Sequence, residues 1–181
     1  MSPLYTRKGD DGSTGLLGEG RLQKNHPRIE ALGTLDEASA ALGLSRALCQ
    51  SGHSKSILME VQRDLYAIMA EIAATPENVL RFTTLDAPRV QWLESLADDL
   101  IKKVPIPSEF ILPGDSMPGA SLSLSRTIIR RAERRIVELL DSGEINNPII
   151  IQYLNRLSSL VFVLELLENQ QAGTVTSLAK K

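Results

Sequence analysis

Five stretches of the chain repeat apolar side chains at intervals of three and four residues, the spacing of one face of an α-helix. The stretch over residues 54–74 shows this spacing most clearly. Its apolar stripe consists of Ile57, Leu58, Val61, Leu65, Ile68, Met69 and Ile72. Alternation with a period of two, which is typical of strands, is scarce. The pattern therefore predicts an all-α protein.

Helix-breaking and helix-capping residues predict where these helices begin and end. Proline at residue 76 ends the second helix, Asp86 can cap the third, and Asn147 followed by Pro148 suits the start of the fifth. The predicted helices cover residues 28–49, 54–74, 86–104, 120–140 and 148–171. Helices of about 20 residues with short connections favour antiparallel neighbours. We therefore predict a five-helix up-and-down bundle with a ferritin-like four-helix core arrangement.

Length and charge limit what such a bundle can do. With 181 residues, the chain fits one domain, divided into an N-terminal loop (1–27), the bundle (28–171) and a tail expected to be mobile (172–181). A net charge of -2 provides no general field for nucleic acid or an anionic membrane. Cys49 stands alone and the first residues lack a secretory or transit pattern, which favours the cytoplasm and a core role for this thiol.

The N-terminal loop reads YTRKGDDGSTG over residues 5–15. Its glycine-rich backbone, hydroxyl groups and cations suit an anion-binding nest. A Walker motif is absent because no Lys-Ser or Lys-Thr pair follows the glycines, and a dinucleotide fingerprint is absent too. We predict a polyphosphate ligand for this loop. The side chains suited to complete the site are those of Thr6, Arg7, Lys8, Thr14 and Lys24.

The fourth helix carries five arginines between Ser125 and Arg135. Helical geometry gathers Arg126, Arg130 and Arg134 beside the apolar face. One interpretation is a solvated surface that Glu133 neutralises. The planar fork of arginine, however, suits phosphate or carboxylate, and like charges four residues apart repel each other unless an anion lies among them. We therefore favour an anion-binding stripe.

Two further features concern the interior and one loop. A di-iron centre in a helical bundle needs Glu-x-x-His motifs, and neither His26 nor His53 has a glutamate three residues before it.

The loop over residues 105–119 contains four prolines and an apolar Phe-Ile-Leu trio that begins at Phe110. Such a trio in a loop indicates that its apolar side chains cover another surface.

Five motifs together resemble the PduO-type ATP:cob(I)alamin adenosyltransferases. They read YTRKGDDGSTGL, GTLDE, FILPG, SRTIIRRAERR and YLNRLS, in this order along the chain. The resemblance spans Tyr5 to about Leu167. This sequence departs from the family pattern at Asp115, where a glycine is common, and at Asp11, where a basic residue is common.

The resemblance implies a homotrimer whose three active sites each join the N-terminal loop of one subunit to the arginine helix of its neighbour. It also implies transfer of the 5′-deoxyadenosyl group of ATP to the cobalt of cob(I)alamin, giving adenosylcobalamin and triphosphate. The nucleotide-binding residues would be Thr6, Arg7, Lys8, Gly9, Thr14, Gly15, Lys24, Arg130, Arg131, Glu133, Arg134 and Asn155. Of these, Lys8, Lys24 and Arg130 would act catalytically on the leaving triphosphate, with Mg²⁺ held mainly by the ATP phosphates.

On the corrinoid side, the resemblance implies that Phe110 covers the lower face of the corrin. It also implies that Asp36 pairs with Arg126 across the subunit boundary. A corrinoid reductase and an adenosylcobalamin-dependent acceptor enzyme would be partners. The alternative is a noncatalytic helical-bundle module that binds ATP for regulation, and a purely structural bundle is the third hypothesis.

Overall fold

A computed structural model describes residue 5 and residues 7–180. Its five long helices are α1 (Pro27–Leu48), α2 (Gly52–Ala73), α3 (Ala87–Ile101), α4 (Met117–Asp141) and α5 (Ile149–Gln171). A single 3-10 turn covers Val79–Arg81, and two short strands, β1 (Ser13–Gly15) and β2 (Arg21–Gln23), form a hairpin before α1. The prediction of a five-helix protein is confirmed, and the hairpin is an addition within the predicted loop.

Polar caps explain where most helices begin. The side chains of Ser51, Asp86 and Ser116 accept hydrogen bonds from backbone N–H groups in the first turns of α2, α3 and α4, which confirms the predicted cap of α3. Helix α4 starts at Met117 rather than at residue 120, since proline is compatible with a first helical turn.

Two other predicted ends were also slightly wrong. Helix α3 ends at Ile101, three residues before the predicted end at residue 104. Pro148, not Asn147, occupies the N-cap position of α5. The Asn147 side chain still accepts a hydrogen bond from the Ile149 N–H group at 3.1 Å, so it satisfies one free donor at that helix start.

Cross-helix contacts define an up-and-down arrangement. Helix α4 packs between α1 and α5, α2 packs on α1, and α3 packs on α5. The Ser45 and Ser125 hydroxyls lie 3.0 Å apart. Arg131, which follows Ser125 on α4, pairs with Glu37, which precedes Ser45 on α1, so the two helices are antiparallel. Antiparallel packing of α4 and α5 follows from Ser116–Asn169 and Glu133–Asn155 contacts. The predicted topology agrees with these contacts.

The core is built from the predicted apolar stripes. Ile57, Leu58, Val61, Leu65, Ile68 and Ile72 of α2 are all at most 3% exposed. Helix α5 is apolar and long enough to cross a membrane by composition, but α3 and α4 pack on it and most of its apolar window is buried, as expected of a core helix. Cys49 is buried, and burial, reinforced by Glu168, raises the pKa of its thiol to about 12, which fits the predicted core role.

A polar network centred on Asp64 joins α2, α3 and α5. Its carboxylate accepts hydrogen bonds from the Arg89 Nε–H group at 2.7 and 2.9 Å and from the Tyr153 hydroxyl at 2.5 Å. The Arg89 guanidinium also lies 3.8 Å from the centre of the Trp92 ring. Burial, followed by the charge of Asp64, raises the pKa of Tyr153 well above its ordinary value, so the hydroxyl remains a donor. The network fixes α3 against the bundle.

The described part of the tail lies along the loop that precedes α4. The Leu112 N–H group donates to the Ser177 carbonyl at 2.8 Å, and the Ala179 N–H group donates to the Phe110 carbonyl at 2.7 Å. The mobility of residues 172–181 stays a prediction. These bonds must break before the tail can leave the loop.

The Asp64 network yields a stability prediction. Asp64→Ala leaves the Arg89 guanidinium and the buried Tyr153 hydroxyl without their shared acceptor. We expect the free energy of unfolding to fall by about 3 kcal/mol, measured by urea denaturation. The control is Asp99→Ala, which removes an exposed carboxylate paired with Lys102 and should change the urea midpoint little. Equal effects of the two variants would contradict the role of the network.

Candidate functional site

The N-terminal loop is folded by its own hydrogen bonds into a compact hairpin. Strands β1 and β2 are antiparallel, with Thr14 opposite Leu22 and Gly15 opposite Arg21. Lys24 closes the hairpin, because its backbone N–H group donates to the Gly12 carbonyl and its Nζ donates to the Gly9 carbonyl, both at 2.8 Å. Of the predicted nucleotide-binding residues, Gly9 and Lys24 therefore lie together in one turn of the hairpin.

Gly9 and Arg7 show how tight this turn is. A Cβ atom on Gly9 would lie 3.2 Å from the Ser13 carbonyl oxygen and 3.3 Å from the Lys24 Nζ atom, so a side chain would crowd the turn. Arg7 has a φ of 60°, in the left-handed region, and its guanidinium carbon lies 5.7 Å from the centre of the Tyr5 ring. Thr6, which the sequence predicts as a ligand, lies outside the described residues.

Arg21 contributes to the hairpin and was not predicted from the sequence. Its Nη2 donates to the Lys8 carbonyl at 2.6 Å and to the Ser13 carbonyl at 3.1 Å, while its Nε donates to the Ser13 hydroxyl at 2.8 Å. These bonds fold the Lys8 backbone against β1. The sequence offers no local signal for this role, since the contacts depend on the pairing of the two strands.

Asp11, one of the two departures from the family pattern, is part of the same turn. Its Oδ1 atom accepts from the Ser13 N–H group at 2.9 Å and from the Ser13 hydroxyl at 2.7 Å. These hydrogen bonds hold the pKa of the Asp11 carboxyl below its ordinary value. Asp11 therefore stabilises the loop as an Asx-type turn acceptor.

The hairpin is anchored at the end of α2. The Leu17 N–H group donates to the Ala73 carbonyl at 2.8 Å, and the Thr75 N–H group donates to the Leu17 carbonyl at 3.2 Å. Gly18 has a φ of 144°, and a Cβ atom there would collide with the Thr75 side chain. Glycine is thus required where the loop crosses the end of the helix.

The arginine stripe lies on the exposed side of α4. Arg130 and Arg134 are exposed and have no ion pair among residues 7–180. Beside the stripe, Arg131 pairs with Glu37, and Arg135 lies 3.7 Å from Glu30. Acids of α1, rather than Glu133, therefore neutralise the two arginines outside the stripe.

Glu133 instead contacts another predicted nucleotide-binding residue. The Asn155 Nδ2 donates to Glu133 Oε1 at 3.0 Å, and the Asn155 Oδ1 accepts from Arg156 at 2.8 Å. Arg156 is fixed in turn by Glu94 of α3 at 2.7 Å. A polar surface thus runs from α4 across α5, with the orientation of Asn155 set by charged neighbours on both sides.

Two of the three predicted corrinoid-side residues line a separate cleft of about 290 Å³. Phe110, which is 87% exposed, and Arg126 both line it, together with Phe162 of α5. The Arg126 Nε is buried without a hydrogen-bond partner in the described chain. Asp36 is exposed on α1, and its predicted pairing with Arg126 across a subunit boundary stays a prediction. Phe162 was missed because its helical spacing resembles that of core residues.

One turn beyond Phe162, Glu165 lies buried in the bundle with an exposed fraction of 1%. Neither carboxyl oxygen has a hydrogen-bond partner among the described residues. Burial raises the pKa of Glu165 to about 7. The nearby Ser123 hydroxyl and Arg126 guanidinium oppose this rise, and the Asp115 carboxylate adds to it. Glu165 is thus a titratable group behind the cleft that sequence periodicity alone did not identify.

Taken together, the fold and its surfaces define a helical-bundle protein with a glycine-rich hairpin that carries cations, an arginine stripe and a separate cleft beside Phe110. The statistical model of the family described as "Cobalamin adenosyltransferase" matches residues 4–168. The chain therefore belongs to the cobalamin adenosyltransferase family, which confirms the resemblance found in its motifs.

Individual relatives agree with this family. The chain is 38% identical to the corrinoid adenosyltransferase PduO of Citrobacter freundii over 171 residues, which cover 93% of this chain but 50% of that protein. It therefore spans about half the length of this relative. A cobalamin adenosyltransferase of Cupriavidus metallidurans is also 38% identical, over 96% of this chain and 91% of its own length.

Solved structures show the same fold. A variant of the PduO-type ATP:corrinoid adenosyltransferase from Lactobacillus reuteri, complexed with cobalamin and ATP, is 33% identical to this chain. It superposes with a TM-score of 0.89 over 99% of this chain and 100% of that chain.

Glu165 yields a pH prediction with a defined sign. Because the folded-state pKa of about 7 exceeds the ordinary 4.5, the folded protein retains this proton where the unfolded chain has lost it. The contribution of Glu165 to the free energy of unfolding is therefore fully present below pH 4.5 and is lost as the pH rises through 7. Glu165→Gln should stabilise the protein, relative to wild type, by about 2 kcal/mol more at pH 8 than at pH 5.

Urea denaturation at the two pH values measures this difference. The matched control is Glu109→Gln, the same substitution at an exposed glutamate at the same end of the bundle, which as a surface change should alter the urea midpoint little. A pH-independent effect of Glu165→Gln would show that the carboxyl does not titrate in this range.

Proposed function

We propose that this protein transfers the 5′-deoxyadenosyl group of ATP to the cobalt of a reduced corrinoid, cob(I)alamin, giving adenosylcobalamin and triphosphate. The observation that carries the proposal is the match, over 99% of the chain, to a solved adenosyltransferase complexed with cobalamin and ATP. The distribution of chemistry in this chain supports it, since cations and glycine amides lie apart from the apolar cleft beside Phe110.

The proposed reaction needs no nucleophile from the protein. The electron pair of cob(I)alamin attacks the 5′ carbon of the ribose, a cobalt–carbon bond forms, and the carbon–oxygen bond to the triphosphate breaks. The triphosphate leaves with the electron pair of that bond. The protein therefore contributes orientation and a preorganised positive charge for the leaving group.

Lys8, Lys24 and Arg130 are the proposed sources of this charge. In the hairpin, Arg7, Gly9, Thr14 and Gly15 hold the phosphates, as does Thr6. On the helices, Arg131, Arg134, Glu133 and Asn155 complete the nucleotide site. Among residues 7–180, no three His, Cys, Asp or Glu side chains gather as a metal site, so the proposed Mg²⁺ is bound mainly by the ATP phosphates.

A homotrimer with shared active sites is part of the proposal. The hydrogen bonds of the hairpin anchor it to the end of α2, whereas Arg131 of α4 pairs with Glu37 of α1 and Glu133 of α4 accepts a hydrogen bond from Asn155 of α5. We assign the hairpin of one subunit and the arginine stripe of the next to the same nucleotide. The buried, unpaired Nε of Arg126 and the exposed carboxylate of Asp36 support a pair between these residues across the subunit boundary.

Phe110 is proposed to cover the lower face of the corrin. An apolar ring there excludes a lower axial ligand, so that cob(II)alamin is four-coordinate and is reduced more easily. A corrinoid reductase would supply the electron, and an adenosylcobalamin-dependent enzyme would accept the product. Both partners and a cytoplasmic location belong to the proposal. The second candidate function, a noncatalytic ATP-binding module, requires the hairpin and stripe but no turnover.

One assay separates the two functions. Purified protein is mixed with MgATP and chemically reduced cobalamin, and the loss of the cob(I)alamin absorption is followed. We expect protein-dependent formation of adenosylcobalamin. Binding of ATP without this product would favour the regulatory module, and the absence of both would favour a structural bundle.

Arg130→Ala and Phe110→Ala should affect different steps. Removing Arg130 takes charge from the leaving triphosphate, so kcat/KM for ATP should fall by about 10² to 10³ with cob(I)alamin as substrate. Removing Phe110 should mainly slow the reaction that starts from cob(II)alamin. The control is Arg63→Ala, since Arg63 is exposed on α2 away from the site. The same pattern of loss in both variants would contradict the assignment of separate roles.

Asp36→Ala tests the proposed intersubunit pair. Because it leaves Arg126 without an acid partner, we expect a raised KM for the corrinoid or a shift from trimer towards monomer. Steady-state kinetics and light scattering measure these two effects. Asp98→Ala, an exposed acid on α3, is the control. Unchanged kinetics and unchanged mass for Asp36→Ala would reject the pair.

A further inference from the structure

The backbone on both sides of Ile111 is held by the C-terminal tail. The Leu112 N–H group donates to the Ser177 carbonyl, and the Ala179 N–H group donates to the Phe110 carbonyl, so that Ile111 and Leu178 form an antiparallel bridge. The backbone of the loop that carries Phe110 is therefore hydrogen-bonded to a segment more than 60 residues away in the sequence.

A side-chain clamp holds this tail in place. The Asp115 Oδ2 atom accepts from the Ser177 N–H group at 2.9 Å, and the Asp115 Oδ1 atom accepts from the Ser177 hydroxyl at 2.7 Å. Both carboxylate oxygens thus bind one residue. Hydrogen bonds to an ionised carboxylate are stronger than those between neutral groups.

Asp115 is itself attached to the rigid start of α4. The next residue, Ser116, caps that helix and donates from its hydroxyl to Asn169 Oδ1 at 2.6 Å. Gly119, in the same turn, has no space for a Cβ atom beside the Asn169 side chain. The clamp therefore connects the tail to the part of the bundle where α4 and α5 are locked together.

The tail contributes little to the hydrophobic core. Val175 is 89% exposed and Leu178 is 42% exposed. Between Phe110 and the clamp, Gly114 has a φ of 133°, a conformation that favours glycine and allows the loop to bend. Backbone pairing and the clamp, rather than apolar burial, hold the tail, and the segment that they order is the one that carries Phe110.

We propose that Asp115 and Ser177 are positioning residues that fix the Phe110 loop at the cleft through the C-terminal tail. This inference rests on the proposed function, because it assigns the clamp to the step in which Phe110 shields the corrin. It also gives a role to the aspartate found where the family pattern commonly has glycine. Loss of the clamp should free the loop without removing the Phe110 ring.

The test uses the full-length protein carrying Asp115→Asn, Ser177→Ala or both. With ATP and cob(II)alamin, we expect adenosylation coupled to a reductant to fall about tenfold. The electron paramagnetic resonance spectrum of bound cob(II)alamin should lose four-coordinate signal. Reaction from pre-reduced cob(I)alamin should change less than twofold. The double variant should behave like the stronger single variant, since the two residues form one contact.

Asp98→Asn and Ser159→Ala are matched controls on exposed helix surfaces, and both should behave like wild type. Hydrogen–deuterium exchange provides a readout that does not depend on activity, because the amides of Leu112 and Ala179 should exchange faster only in the clamp variants.

Faster exchange with an unchanged spectrum and an unchanged rate from cob(II)alamin would overturn the positioning role. Equal slowing from both oxidation states would overturn it too. If the wild-type protein fails to adenosylate cob(I)alamin, the proposed function is wrong, whereas exchange that is unchanged in the clamp variants rejects the clamp itself.

Discussion

Helix α4 buries its apolar face between α1 and α5 and keeps its arginines at the surface. The packing of the bundle and the position of the positive charge both depend on this separation of the two faces. Its apolar side, including Ile129, Ala132 and Ile136, is fully buried. Antiparallel packing on α1 brings acids to Arg131 and Arg135, whereas Arg130 and Arg134 form no ion pair with any residue that the structure describes. Because bundle packing fixes the helix, these charges are preorganised before any anion arrives.

The two segments outside the bundle are ordered in a different way. Neither the N-terminal hairpin nor the C-terminal tail buries much apolar surface, and each is held by hydrogen bonds to specific backbone groups. Lys24 and Arg21 close the hairpin, and Asp115 clamps the tail. Segments with few buried contacts open more easily than a core. The hairpin and the tail can therefore open without unfolding the bundle, whereas the arginines of α4 cannot.

Both departures from the family pattern have become structural acceptors. Asp11 binds the amide and hydroxyl of Ser13 within its own turn, and Asp115 binds the same two groups of Ser177 across the fold. In each case one carboxylate accepts two hydrogen bonds from a serine and so restrains the backbone of its loop. Both loops border the proposed sites.

The sequence by itself determined the helices, the cap at Asp86 and, through five collinear motifs, the family, because periodicity, capping and motif order are local signals. Anion binding by the hairpin residues and the arginine stripe also follows from residue type and spacing, and stays a prediction. Only the tertiary structure decided that Arg21 shapes the hairpin, that Phe162 and Arg126 share a cleft, and that Asp115 meets Ser177. Those contacts depend on strand pairing and helix packing, and local propensity carries no information about which partner a side chain will reach across the fold.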